Sequence, residues 1–124
     1  FHDGVARTLT VRRNLNPAEP PMMDGEQLLL PHDEEKGFAP DVIISALREQ
    51  GLRRVLVEGG GVTVSRFLQA GCLTRLHVTI APLLIGSGRP ALALPPISRL
   101  DQALRPPYRL FTLGHDVLFD LDLR

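Results

Sequence analysis

Three consecutive glycines, Gly59-Gly60-Gly61, separate a short apolar run from a helical pattern, and they constrain the fold more sharply than any other stretch. Val55, Leu56 and Val57 lead into Glu58. Beyond the glycines come Val62, Thr63, Val64 and Ser65, with Val64, Phe67 and Leu68 at i, i+3 and i+4. The order reads as strand, tight turn, helix. Without Cβ atoms, the turn lets backbone N–H groups approach a ligand closely, and the following helix adds unpaired N–H groups and a positive dipole end. An anion suits that position, which in an open α/β sheet lies beyond the carboxyl ends of the strands. Such a turn also occurs as a plain tight connection, and its residues alone leave both readings open.

The totals narrow the function classes. At 124 residues the chain is long enough for one small domain with its own core, and we read residues 1–124 as a single domain. Lys plus Arg (14) balance Asp plus Glu (14), and the basic residues are scattered without aromatic interleaving, so nucleic acid is not an expected partner. The one cysteine, Cys72, excludes a disulfide framework and a Cys/His metal set, and no metal site is expected. Just past a helix end at Gly71, Cys72 reads as a small, half-buried residue. No apolar run approaches the roughly 18 residues needed to span a bilayer. These features predict a cytoplasmic protein without a membrane partner. The chain starts at Phe1 and runs at once into a strand-like segment, as though cut from something longer.

Along the chain, residues 6–12 alternate with period two and predict a strand. Residues 14–25, with Pro17, Pro20 and Pro21, predict a loop, and 27–30 a short strand stopped by Pro31. Asp33-Glu34-Glu35 reads as a solvated turn. Asp41 is the expected N-cap of a helix carrying Val42, Ile43, Ala46 and Leu47 on one face and ending at Gly51. A buried strand is expected at 54–58, then a helix to Ala70, then a strand at 76–81 on which His77 is an alternating, partly exposed position. Gly86-Ser87-Gly88 forms a second glycine loop leaving the same sheet edge as the first. Strands at 108–113 and 117–123 joined by Gly114-His115-Asp116 predict a hairpin. Strands alternating with helices imply an α/β fold with a mostly parallel sheet, helices on its faces and a C-terminal antiparallel hairpin.

Leu52-Arg53-Arg54-Val55-Leu56-Val57-Glu58-Gly59-Gly60-Gly61, then Ala70-Gly71, then Ile80-Ala81-Pro82-Leu83-Leu84-Ile85-Gly86-Ser87-Gly88, resembles the reductase domain of the bacterial riboflavin-biosynthesis deaminase-reductases. The closing Gly114-His115-Asp116-Val117-Leu118-Phe119-Asp120 suits the same domain, and the likeness is good from about Asp41 onward. The resemblance implies a dihydrofolate-reductase-like fold and an NADPH-dependent reduction at the ribosyl C1′ of a phosphoribosylamino-pyrimidine. It places the cofactor's phosphates on Gly59, Gly60, Gly61, Val62, Thr63, Val64 and Ser65, with Gly86, Ser87 and Gly88 lining the same crevice. Glu58 matches a substrate-contacting acid; it could instead cap the next helix or neutralise its dipole. Catalytic residues are not identifiable. The resemblance further implies a homodimer paired through the sheet.

Departures from the family bear on how complete the site is. The zinc deaminase domain is absent, and the opening strand, helix and strand of the reductase domain are not found in the sequence. Leu9-Thr10-Val11-Arg12 resembles a substrate-binding motif of that opening part, but only 45 residues separate Arg12 from Glu58, and we read it as a later strand. Arg75, where relatives carry an acid, reads as a surface change. Two alternatives stay open: a reductase of the same fold acting on another small substrate, and a non-catalytic nucleotide-binding accessory domain.

Overall fold

A computed structural model describes residues 6–13 and 26–124; the Pro-rich segment predicted as a loop lies outside the described residues. Contacts divide the chain into two units, Phe1–Val55 and Leu56–Arg124, where the sequence predicts one domain.

In the first unit, β1 (Leu9–Arg13) and β2 (Glu26–Leu30) pair in parallel, Leu9 opposite Glu26 and Arg13 opposite Leu30. Parallel pairing needs a connection of a dozen or so residues, which the twelve residues 14–25 supply. Leu30, 7% exposed, is the buried apolar residue of this pair. Arg7 grips Glu26 with two bonds (Nε to Oε1, 2.8 Å; Nη2 to Oε2, 2.5 Å) and donates from Nη2 to Gln50 Oε1 at 2.8 Å. The acidic run is a turn, as its composition predicts: Asp33 Oδ1 accepts the N–H groups of Glu35 and Lys36, bonds that hold its carboxyl below the usual range.

Helix α1 (Pro40–Glu49) follows. Its N-cap is Ala39, which makes no side-chain cap, and Asp41 sits one turn-position inside it. Proline at N1 accounts for the shift from the expected cap, since its fixed φ already suits the helix and it has no N–H to satisfy. At the far end Gly51 and Leu52 donate to the carbonyls of Arg48 and Leu47, closing the helix in a Schellman motif.

The second unit holds α2 (Gly61–Gln69), β3 (Arg75–Ile80), a single 3₁₀ turn at Leu100–Gln102, β4 (Tyr108–Leu113) and β5 (Asp116–Asp122). The expected buried strand at 54–58 is not formed: no described strand pairs with it, and Leu56 is 78% exposed. An apolar run alone does not make a strand, because the extended backbone must find a neighbouring ladder. The helix pattern reads correctly, and α2 closes at Gly71 and Cys72 with the same Schellman bonds as α1.

The sheet of this unit is wholly antiparallel, in the order β3-β5-β4, so the expected mostly parallel sheet is reduced to the β1–β2 pair. Leu113 opposes Asp116, leaving a two-residue turn in which Gly114 has a φ of 64° while His115 stays negative. That combination is a type II′ turn, whose twist matches the strands it joins. Asp116 therefore opens β5 rather than belonging to the turn. Among the described residues no helix is long and apolar enough to cross a membrane.

Candidate functional site

The glycine turn lies in the second unit, where Gly60 is the N-cap of α2 with no side-chain cap and no acid in the first turn. Thr63 and Val64 donate to the Gly60 carbonyl. The N–H groups of Gly59, Gly60, Gly61 and Val62 are donated to none of the described residues. Four successive free donors at a positive helix end form a cradle whose chemistry fits an anion. Nothing lies within 4 Å of where a Gly60 Cβ would stand, so the turn is open at that residue.

Glu58 does not cap the helix. It is exposed and makes no hydrogen bond or ion pair with the described residues, so its carboxylate is available at the mouth of the turn. Val62 and Thr63 are exposed on the first turn, Val64 is half-buried, and Ser65 is 1% exposed. Ser65 Oγ accepts the N–H of Ala93 at 2.7 Å. Five positions into the helix, the Ser65 side chain therefore lies on the packed face. Gly61 is glycine for a packing reason as well, since a Cβ there would stand 2.5 Å from the Ala91 carbonyl oxygen and 2.9 Å from that of Pro90. The chain 90–93 therefore runs along α2, while Gly86, Ser87 and Gly88, just before it, are all exposed.

A polar cluster that local sequence patterns do not announce occupies one face of the antiparallel sheet. Register puts His77, Asp120 and Arg109 in one row across the three strands. Asp120, 5% exposed, accepts from Arg109 (Nη2 to Oδ2, 2.6 Å; Nε to Oδ2, 3.2 Å) and from Arg75 Nη1 at 3.4 Å. Its Oδ1 lies 3.2 Å from His77 Nε2 and 3.3 Å from Arg75 Nε at angles that make no hydrogen bond, so these contacts are electrostatic. The Arg109 hydrogen bond, then the Arg75, Arg109 and His77 charges, hold the Asp120 carboxyl below its usual range against the opposing effect of desolvation. Arg75 is thus a partner of a buried carboxylate and not a plain surface change. Beside it, Arg124 closes on Asp122 and pushes that carboxyl down too.

An apolar cavity of about 670 Å³ is lined by Leu68, Leu76, Leu94, Ile97, Leu121 and Leu123, at the C-terminal half of α2 and away from the glycine turn. No group of three or more His, Cys, Asp or Glu side chains among the described residues could hold a metal ion.

Comparison with known proteins bears on what the cradle serves. Residues 12–116 match the family described as RibD C-terminal domain, so the likeness extends well before the residues around Asp41. A riboflavin biosynthesis protein RibD of Bacillus amyloliquefaciens is 46% identical over 44 residues, which cover 36% of this chain and 12% of that protein. A protein of the same name from Aquifex aeolicus (strain VF5) is 40% identical over 53 residues, 43% of this chain and 15% of its own. The matched stretches thus span about one seventh of these curated relatives or less.

Proposed function

Since the chain belongs to the RibD C-terminal domain family, we propose that it carries the cofactor-binding part of an NADPH-dependent reductase of riboflavin biosynthesis. The reaction is reduction of the ribosyl group of a 5-amino-6-(5-phosphoribosylamino)pyrimidine to the ribitylamino product. One observation carries the reading: the N-terminus of α2 presents the N–H groups of Gly59, Gly60, Gly61 and Val62 without an internal partner. These donors would hold the cofactor's phosphate oxygens at the positive helix end. Gly86, Ser87 and Gly88 would line the opposite side of the same crevice.

When bound, the nicotinamide supplies the hydride. The protein's part is orientation: the open turn fixes the phosphates, and the exposed Glu58 accepts hydrogen bonds from ribose hydroxyls or pyrimidine N–H groups. No described side chain is assigned as a general acid or base. A homodimer belongs to this proposal, supported by the outer strand β4, on which Tyr108, Leu110, Phe111 and Leu113 are all exposed. So does a cytoplasmic setting, which a sequence with a single cysteine, Cys72, suits.

Titration followed by NADPH fluorescence tests the cofactor: a blue shift on binding is expected, and no binding at millimolar NADPH would refute it. Turnover of the phosphoribosylamino-pyrimidine then separates this reductase from one of the same fold with another substrate, while cofactor binding without turnover of any candidate substrate would mark an accessory domain.

A further inference from the structure

We propose that one face of α2 is a clamp that fixes the loop Gly86–Gly88 beside the glycine turn, with Ser65 as its positioning residue. Gly61, Ser65 and Gln69 stand at i, i+4 and i+8, a single row along the helix. All three meet the same short segment. Gly61 lies under the carbonyls of Pro90 and Ala91, with no room for a Cβ. Ser65 Oγ accepts the Ala93 N–H at 2.7 Å, and Gln69 Nε2 donates to the Ala93 carbonyl at 3.1 Å. Both backbone groups of Ala93 are thereby held by helix side chains, as a neighbouring strand would hold them.

The direction of this contact matters. Residues 90–93 advance along the helix from its N-terminal end toward Gln69, so the chain just before Pro90 is delivered to the glycine turn. Gly88 is two residues from Pro90, a reach of about 7 Å at most. The loop Gly86–Gly88 makes few contacts of its own: a Cβ on Gly86 would meet nothing within 4 Å, and one on Gly88 only the Ile85 side chain at 3.7 Å. The loop's place beside the turn is therefore set from outside, by α2. This explains why a polar residue, Ser65, is fully buried in α2 and why Gly61 has no room for a Cβ. The functional part of the inference rests on the cofactor reading above: the clamp brings the second loop to the phosphates held by the first.

Amide hydrogen exchange on the full chain, without ligand and with saturating NADPH, tests the clamp. In Ser65→Ala the amide of Ala93, whose acceptor is removed, should exchange about tenfold faster without ligand. With NADPH, protection should persist at Gly59–Gly61 and be lost at Gly86–Gly88, a split that general destabilisation would not produce. Gln69→Ala, at an exposed position that does not threaten folding, should give the same pattern more weakly. Unchanged exchange at Ala93 in both variants without ligand would overturn the clamp. Failure of NADPH to protect Gly59–Gly61 in the unaltered protein would instead overturn the cofactor reading, and the ligand-free comparison would still decide the clamp.

Discussion

The two helices end alike and begin differently. Both α1 and α2 close in a Schellman motif, at Gly51 and at Gly71, and neither has a side-chain N-cap. At its start, however, α1 has Pro40 at N1, which removes one orphan donor, and Asp41, whose charge opposes the helix dipole. The start of α2 has neither device. Three glycines and an apolar Val62 leave four N–H groups without a partner among the described residues and no acid in the first turn. A helix end that serves only the fold is neutralised from within; one left open is ready for an anion from outside.

The contrast can be broken from several sides. Phe67 is 9% exposed on the packed face of α2, whereas the apolar positions of α1 are only half-buried. Phe67→Ala should cost about 3 kcal/mol in urea unfolding of the second unit, and Leu47→Ala in α1 clearly less. Gly61→Ala drives a Cβ into the Ala91 carbonyl and should cost about 2 kcal/mol. A smaller effect is expected at the start of α1, where Asp41→Asn removes a dipole partner worth about 0.5 kcal/mol and leaves NADPH binding unchanged.

Acid stability sharpens the picture of the antiparallel sheet in the same way. The Asp120 carboxyl is held below the value of about 3.9 that an unfolded aspartate has. Between the two values the unfolded chain binds more protons than the folded one. The stabilisation is therefore fully present above about pH 4 and is lost as pH falls through the folded value. Asp120→Asn should flatten that acid limb of stability, measured by thermal unfolding between pH 2 and 5; an unchanged limb would show that Arg109, Arg75 and His77 do not bias this carboxyl.

What the sequence discloses is what short-range pattern encodes. The i, i+3, i+4 spacing of Val64, Phe67 and Leu68 with Gly71 beyond locates α2, and Gly114 locates the hairpin turn. Asp120 is invisible to such a reading, because its partners Arg75 and Arg109 lie 45 and 11 residues away and meet it through strand register alone. The direction of β3 is likewise decided by its pairing with β5 and not by its own alternation. Val55 and Leu56 have strand-like composition but no described strand beside them. Ser65 falls inside a segment that family resemblance assigns to the cofactor, yet its position on the packed side of the helix follows from the 3.6-residue period and from a segment nearly thirty residues later.

Placing the same residue before both helices gives the most direct test. Ala39 and Gly60 both have extended N-cap backbones that accept aspartate, and a Gly60 side chain would meet no neighbour. Ala39→Asp should stabilise the first unit by about 1 kcal/mol and leave NADPH affinity unchanged; Gly60→Asp should change stability by only a few tenths of a kcal/mol. By fluorescence titration, Gly60→Asp should nevertheless abolish NADPH binding, because its carboxylate occupies and neutralises the open end of α2. NADPH binding with undiminished affinity in the folded Gly60→Asp protein would contradict the assignment of the glycine turn as the phosphate site.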